Sequence, residues 1–269
     1  MRTFSTTTSA PAPSMTTPAS DLAALSRRLG DASLDAAILG EGNTSIRVDD
    51  ATFLVKASGS NLATLGEDDL VRLRFDAILP LLSGSGPVAE AQLAATYQQA
   101  KVDQASPRRP SVETVFHAAL LRLPGVAVVA HTHPTAINML TTSARWREHL
   151  DGRLFPDEVV VLGEHSAFVP YIDPGVELAR AILASVNEVA ARTGSVPRTV
   201  YMQNHGFIAL AKNPTDAWNI TLMAIKAARI RLGAIQAGGF NTLGEAVARH
   251  LKNRPDEKYR EALLAQQQQ

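Results

Sequence analysis

Strand-like runs and helical patterns alternate along one continuous stretch of this chain, from about residue 21 to about residue 250, with no linker between them. That alternation predicts one continuous unit in which helices and strands are interspersed. Apolar residues at 22, 25 and 29 keep helical spacing over 21–29, and Asp21 stands where an N-cap belongs. Two short strand-like runs, 44–48 and 52–56, flank Asp49-Asp50 and predict a hairpin. Further strands are expected over 68–75, 125–130 and 159–162, and two more pieces over 198–210 on either side of Asn204-His205-Gly206. Helices are expected from Ser111, as N-cap, to about 123, over 176–193, and from Asn213-Pro214 to about 232. Residues 83–110 read as loop. The domain is expected over 21–250, between a Ser/Thr/Ala/Pro-rich tail at 1–20 and a C-terminal tail at 251–269.

Composition removes several classes of function. Cysteine is absent, so disulfides, thiolate metal sites and thiol nucleophiles are excluded, and any metal must be held by His, Asp or Glu. Lys+Arg and Asp+Glu are both 26, so no overall field draws the chain to nucleic acid or to an anionic membrane. No run approaches the roughly 18 apolar residues of a membrane span, and 1–20 lacks a secretory apolar core. A cytoplasmic protein that binds neither nucleic acid nor membrane is therefore expected.

The strongest chemical signal is His131-Thr132-His133, which closes the apolar run at 126–130. Residues two apart on a strand share a face, so both imidazoles can reach one ion; a strand end with two surface histidines would have the same spacing. His205 lies at a break between apolar runs, with Gly206 permitting positive φ or close approach, and would complete a three-nitrogen site with an open position. Glu113 stands near a helix start, where a carboxylate serves either as acid/base or simply as a partner of the helix dipole; His117 is one turn on, on the same face. The Gly/Ser/Thr-rich stretches at 40–45 and 56–60 offer backbone N–H groups and hydroxyls to an anion, but match neither a Walker loop nor a dinucleotide fingerprint, and also fit turn chemistry.

In this order and spacing, the stretches GEGNTSIRVDDATFLVKASGSNLATLGEDDL, PSVETVFHAALLRLPGVAVVAHTHP and MQNHGFIALAKNPTDAWNITLMAIKAARI resemble the class II aldolase/adducin family over about 40–230. GEGNTS, VKASGS and FVPYIDPG look closest to its rhamnulose-phosphate-aldolase-like members. The resemblance implies an α/β/α sandwich with a central, mostly antiparallel sheet, and a four-fold homotetramer with active sites between subunits. It implies that His131, His133 and His205 hold Zn2+ or another divalent metal such as Mn2+ or Co2+, with Glu113 as the acid/base facing it. Asn43, Ser58, Gly59 and Ser111 would lie where relatives hold substrate oxygens. The chain departs from the common Pro-Ser-Ser-Glu pattern at Val112, which removes one hydroxyl; Lys56 would then compensate as a point charge. Glu158 and Glu164 are the candidates for the family's second acid, and Tyr259 for its C-terminal tyrosine; each equally reads as a solvated residue with no catalytic part.

The implied reaction is making or breaking a C–C bond of a ketose or ketose phosphate through an enediolate. The same residues would serve a sugar-phosphate 4-epimerase or a decarboxylase of a keto sugar acid. A non-catalytic adducin-type binding module is disfavoured by the complete set of three histidines and Glu113.

Overall fold

The computed structural model describes residues 17–254. Seven strands, β1 (Asn43–Arg47), β2 (Thr52–Lys56), β3 (Leu70–Arg74), β4 (Val128–Thr132), β5 (Ala167–Val169), β6 (Thr199–Met202) and β7 (Gly206–Ala211), form one sheet in the order β3-β2-β1-β4-β7-β6-β5. Every pairing is antiparallel except β5 with β6. The helices are α1 (Pro18–Leu29), α2 (Phe75–Ile78), α3 (Glu90–Ala100), α4 (Thr114–Leu121), α5 (Thr135–Thr141), α6 (Trp146–Leu150), α7 (Pro156–Leu162), α8 (Val176–Thr193), α9 (Pro214–Gln236) and α10 (Glu245–Asn253).

Alternation along the strands divides the core in two. Phe53, Val55, Val129, Val200, Ile208 and Leu210 face α2, α3, α4 and α8. Ile46, Val128, Ala130, Phe207, Ala209 and Ala211 face α1, α5 and α9. Both faces of the sheet are thus covered, which is why β4 and β7 are buried throughout and read as near-continuous apolar runs. The chain is the expected α/β/α sandwich with a mostly antiparallel sheet.

Local chemistry sets the element ends, and it moves several from their expected places. Helix α1 starts at Pro18, not at Asp21, because Thr17 and Ser20 form a reciprocal capping box; the 1–20 boundary therefore falls inside α1. The expected hairpin is present, its turn held by Asp49, whose Oδ1 accepts from the Ala51 and Thr52 amides. Within 83–110, expected as loop, residues Glu90–Ala100 form α3 and bury Tyr97 and Ala100. Helix α4 starts at Thr114 with Glu113, not Ser111, as N-cap. The 159–162 run is helical: Pro156 opens α7, Asp157 and Glu158 occupy its first turn, and Gly163 at φ 75° ends it. A four-residue apolar run cannot distinguish strand from helix, so these flanking residues decide. The strand of this region is β5. Helix α10 crosses the expected boundary at 250 and buries Leu251. The rest of the C-terminal tail, including Tyr259, lies outside the described residues.

Candidate functional site

The register gathers the start of β1, the end of β4 and the start of β7 at one edge of the sheet: Asn43 is opposite His131, and Thr132 opposite Phe207. His131 is fully buried on the face toward α4. Just beyond β4, His133 is fixed by its amide, which donates to Ala36 O at 2.8 Å. His205 projects from the tight turn between β6 and β7, where Asn204 takes the left-handed region at φ 53°. Gly206 makes the convergence possible by close approach, not by positive φ. A Cβ there would stand 2.7 Å from His133 Cδ2 and Thr132 O, and 3.1 Å from His131 Cε1.

The three rings lie 4.7, 5.0 and 5.3 Å apart between centroids. Each offers one nitrogen, and these ligand atoms all lie within 4.8 Å of one another. His131 Nδ1 faces Phe207 O at 3.0 Å; a carbonyl only accepts, so Nδ1 carries the proton and Nε2 keeps its lone pair. That Nε2 is 3.0 Å from His133 Nε2, near the ~3.3 Å that separates two nitrogens bound tetrahedrally to one ion. Burial lowers His131 to about 4 and, with the neighbouring imidazoles His131 and His205, lowers His133 to about 3, so both rings are neutral near pH 7, the form that ligates. Outside the trio, Glu41 Oε1 faces His133 Nδ1 at 3.9 Å while its other oxygen accepts from the Ile38 amide. The donor set fits a divalent cation of the zinc type.

Glu113 is buried against this cluster, with Oε2 3.4 Å from His131 Nε2 and Oε1 3.3 Å from His205 Nε2. Oε1 has no well-formed hydrogen bond. Burial pushes its carboxyl up, but the adjoining His131, then His205 and the Asn43 amide, outweigh this and hold it well below the usual carboxylate range. Asn43 Nδ2 donates to Glu113 Oε2 at 2.6 Å and to Ser111 Oγ at 3.2 Å. Ser58 and Gly59 are exposed beside Ser111, because Ala57 bridges to Pro110 and the Ser58 amide donates to Arg109 O.

Lys56 takes a different place from the one expected for an anion partner. It projects from the sheet face opposite to Asn43, is buried, and donates from Nζ to Gly40 O at 3.2 Å, supporting the 40–42 loop. Glu158 is fully buried in an ion pair with Arg231 at 2.9 Å, and Glu164 pairs with Lys252 at 3.2 Å, so both suggested second acids are committed elsewhere. Two further residues join the site: His117, noted one turn on from Glu113, whose Nε2 meets Asn43 Oδ1, and Ser45, not singled out in the sequence, 2.7 Å from His117 Nδ1. The available signals were the four-residue step from Glu113 to His117 and the two-residue step from Asn43 to Ser45.

A cleft of about 350 Å³ opens beside His133, between Asp35, Ile38 and Glu41 on one wall and Asn138 and Met139 on the other. Another cavity, about 870 Å³, lies at the opposite edge of the sheet among Val126, Gly163, Arg198 and Lys212 and includes none of His131, His133, His205, Glu113 and Asn43.

The family model described as the class II aldolase and adducin N-terminal domain matches residues 20–232. The chain belongs to this family. Among curated proteins, this class II aldolase-family chain is 27% identical over 197 residues to the uncharacterized oxidoreductase YuxG of Bacillus subtilis, covering 70% of this chain and 26% of that protein. It is 26% identical over 180 residues to a probable bifunctional methylthioribose-1-phosphate isomerase/methylthioribulose-1-phosphate dehydratase of Nocardia farcinica, covering 65% of this chain and 28% of that one. The chain thus spans about a quarter of the length of these relatives. Among solved structures, an L-fuculose 1-phosphate aldolase shares the fold with a TM-score of 0.65 at 19% identity, over 90% of this chain and 96% of that one.

Proposed function

We propose that this class II aldolase-family chain is a divalent-metal-dependent aldolase that makes or breaks a C–C bond in a ketose or ketose phosphate. The observation that carries this reading is the meeting of three imidazoles with a buried carboxylate that has one oxygen tied and one free. His131, His133 and His205 would hold Zn2+, Mn2+ or Co2+. A divalent ion bound there supplies Lewis-acid stabilisation for the negative charge that an enediolate carries.

The chain's own residues account for the proton. Ionised at rest, Glu113 takes the proton from the substrate carbon next to the carbonyl through Oε1 in the condensation direction, and returns it after cleavage. Asn43 keeps Oε2 occupied and so aims the carboxylate. Asn43, Ser58, Gly59 and Ser111 would bind substrate oxygens. With Lys56 turned to Gly40, any phosphate on the substrate would rest on the Ser58, Gly59 and Ser111 side.

Glu113→Gln keeps the shape and removes the proton acceptor. The expected result is a rate loss on the order of 10²–10⁴ with bound metal retained, measured on a panel of ketoses and their phosphates. Near wild-type turnover by the Gln variant would overturn the role. The same panel separates the main reading from a second one. The dehydratase in the name of the Nocardia relative favours loss of water from a ketose phosphate, which starts from the same proton removal. Keto sugar acids and sugar phosphates in the panel cover decarboxylation and 4-epimerisation. An aldehyde product supports the aldolase; an unsaturated or diketo product supports the dehydratase.

A homotetramer with sites at subunit interfaces belongs to this proposal. Exposed apolar side chains, Ile38, Leu39, Val112, Met139 and Tyr171, flank the histidine end of the sheet and support it. A cytoplasmic location is likewise proposed; among the described residues no helix is long and apolar enough to cross a membrane.

A further inference from the structure

His117 is a fully buried imidazole that the proposed reaction leaves without a task. It stacks on Phe116, with ring centroids 4.6 Å apart, and both its nitrogens are engaged. The hydrogen bonds around it can be assigned a direction, starting from Glu113. A carboxylate only accepts, so the atom of Asn43 that faces Glu113 Oε2 must be the amide nitrogen, Nδ2. The amide oxygen, Oδ1, therefore faces His117 Nε2, and because Oδ1 only accepts, Nε2 carries the proton. In a neutral ring Nδ1 is then a lone pair, and it accepts from the hydroxyl of Ser45 at 2.7 Å. Donation runs one way, from Ser45 to His117 to Asn43 to Glu113.

We propose that His117, in the Nε2–H tautomer and with Nδ1 facing Ser45, is a positioning residue that fixes the rotation of the Asn43 amide and thereby aims Glu113. Without the Nε2 donor, Asn43 Oδ1 is left buried with no donor, the amide is held from the Glu113 and Ser111 side alone, and it can rotate away from Glu113 to find another partner. Glu113 would then lose its 2.6 Å donor and swing from its place between His131 and His205. The inference deepens, and rests on, the reading of Glu113 as the acid/base. The orienting device spans three places in the fold, since β1 carries Ser45 and Asn43, α4 carries His117, and its N-cap is Glu113.

The test compares two replacements in the metal-loaded full chain. His117→Phe keeps the stack on Phe116 and removes the donor; His117→Gln offers an amide N–H near the place of Nε2. The Phe variant is expected to lose about 10²-fold in kcat, with KM and metal content close to wild type, and the Gln variant to recover most of that loss. Equal impairment of the two variants, or an unimpaired Phe variant, overturns the proposal. Two-bond proton–nitrogen NMR correlations of the wild-type His117 ring give a readout that needs no substrate, so it stands even if Glu113 proves to have another role. The Nε2–H tautomer is expected. An Nδ1–H tautomer or a doubly protonated ring in the wild type contradicts the inference, also where the Phe variant does not fold.

Discussion

His131, His133 and His117 draw their character from burial. Burial lowers His117 from an ordinary value near 6.5 to about 3, since a charged ring on that side of the sheet would be desolvated. The sign for stability follows. As pH falls below about 6.5 the unfolded chain takes a proton that the native ring refuses until about 3, so this group's contribution to stability declines across that window. The thermal midpoint of His117→Gln should therefore fall less steeply with acid than that of wild type between about pH 6.5 and 3, as read by circular dichroism. An unchanged slope would show that His117 titrates normally. At this scale the sequence was informative where chemistry is packed into a short motif. His131-Thr132-His133 announced two nitrogens on one strand end, and Asn204-His205-Gly206 a third at a turn. Ser45 and His117 were illegible as partners, because they meet only through the register of β1 on β4 and the packing of α4 on the sheet. Lys56 misled for a related reason: alternation along β2 puts it on the far face from Asn43.

Elements with complete start and stop signals were readable, and those marked only by a short apolar run were not. The range 176–193 carries helical spacing for five turns and ends at Gly194, and α8 occupies it residue for residue. The β1–β2 hairpin was announced by Asp49, which holds the turn. Four apolar residues at 159–162 favoured a strand, yet α7 is built there and its Glu158 closes on Arg231 of α9. Both side chains are almost wholly inaccessible, at 2% and 1%. Arg153 lies beside them and donates to Leu162 O, Gly163 O and Ser166 Oγ, satisfying carbonyls at the C-terminal end of α7. Glu158→Ala would leave the Arg231 guanidinium buried without its counter-charge. A loss of about 3–5 kcal/mol is expected in denaturant unfolding, against little change in metal content. A loss below ~1 kcal/mol would mean that the pair is not the lock between α7 and α9.

For the whole molecule, the three-layer sandwich does one thing that none of its elements does alone: it brings β1, β4 and the β6–β7 turn to a single edge and seals that edge against α4. Loops around the same edge, with Met139 of α5, leave apolar side chains exposed, which is why the proposal includes neighbouring subunits there. Light scattering should report four chains per particle, and removing residues 1–16 should leave that number unchanged; a fully active monomer would end the shared-site idea. The central claim is that this edge is a metal site. Its most direct measurement is the metal content of the purified chain by inductively coupled plasma mass spectrometry after incubation with zinc, manganese or cobalt and desalting. The account predicts about one ion per chain in wild type, the usual occupancy of a three-ligand site, and loss of most of it in folded His131→Ala and His205→Ala. Wild-type protein that stays metal-free, or histidine variants that keep a full complement, would contradict it.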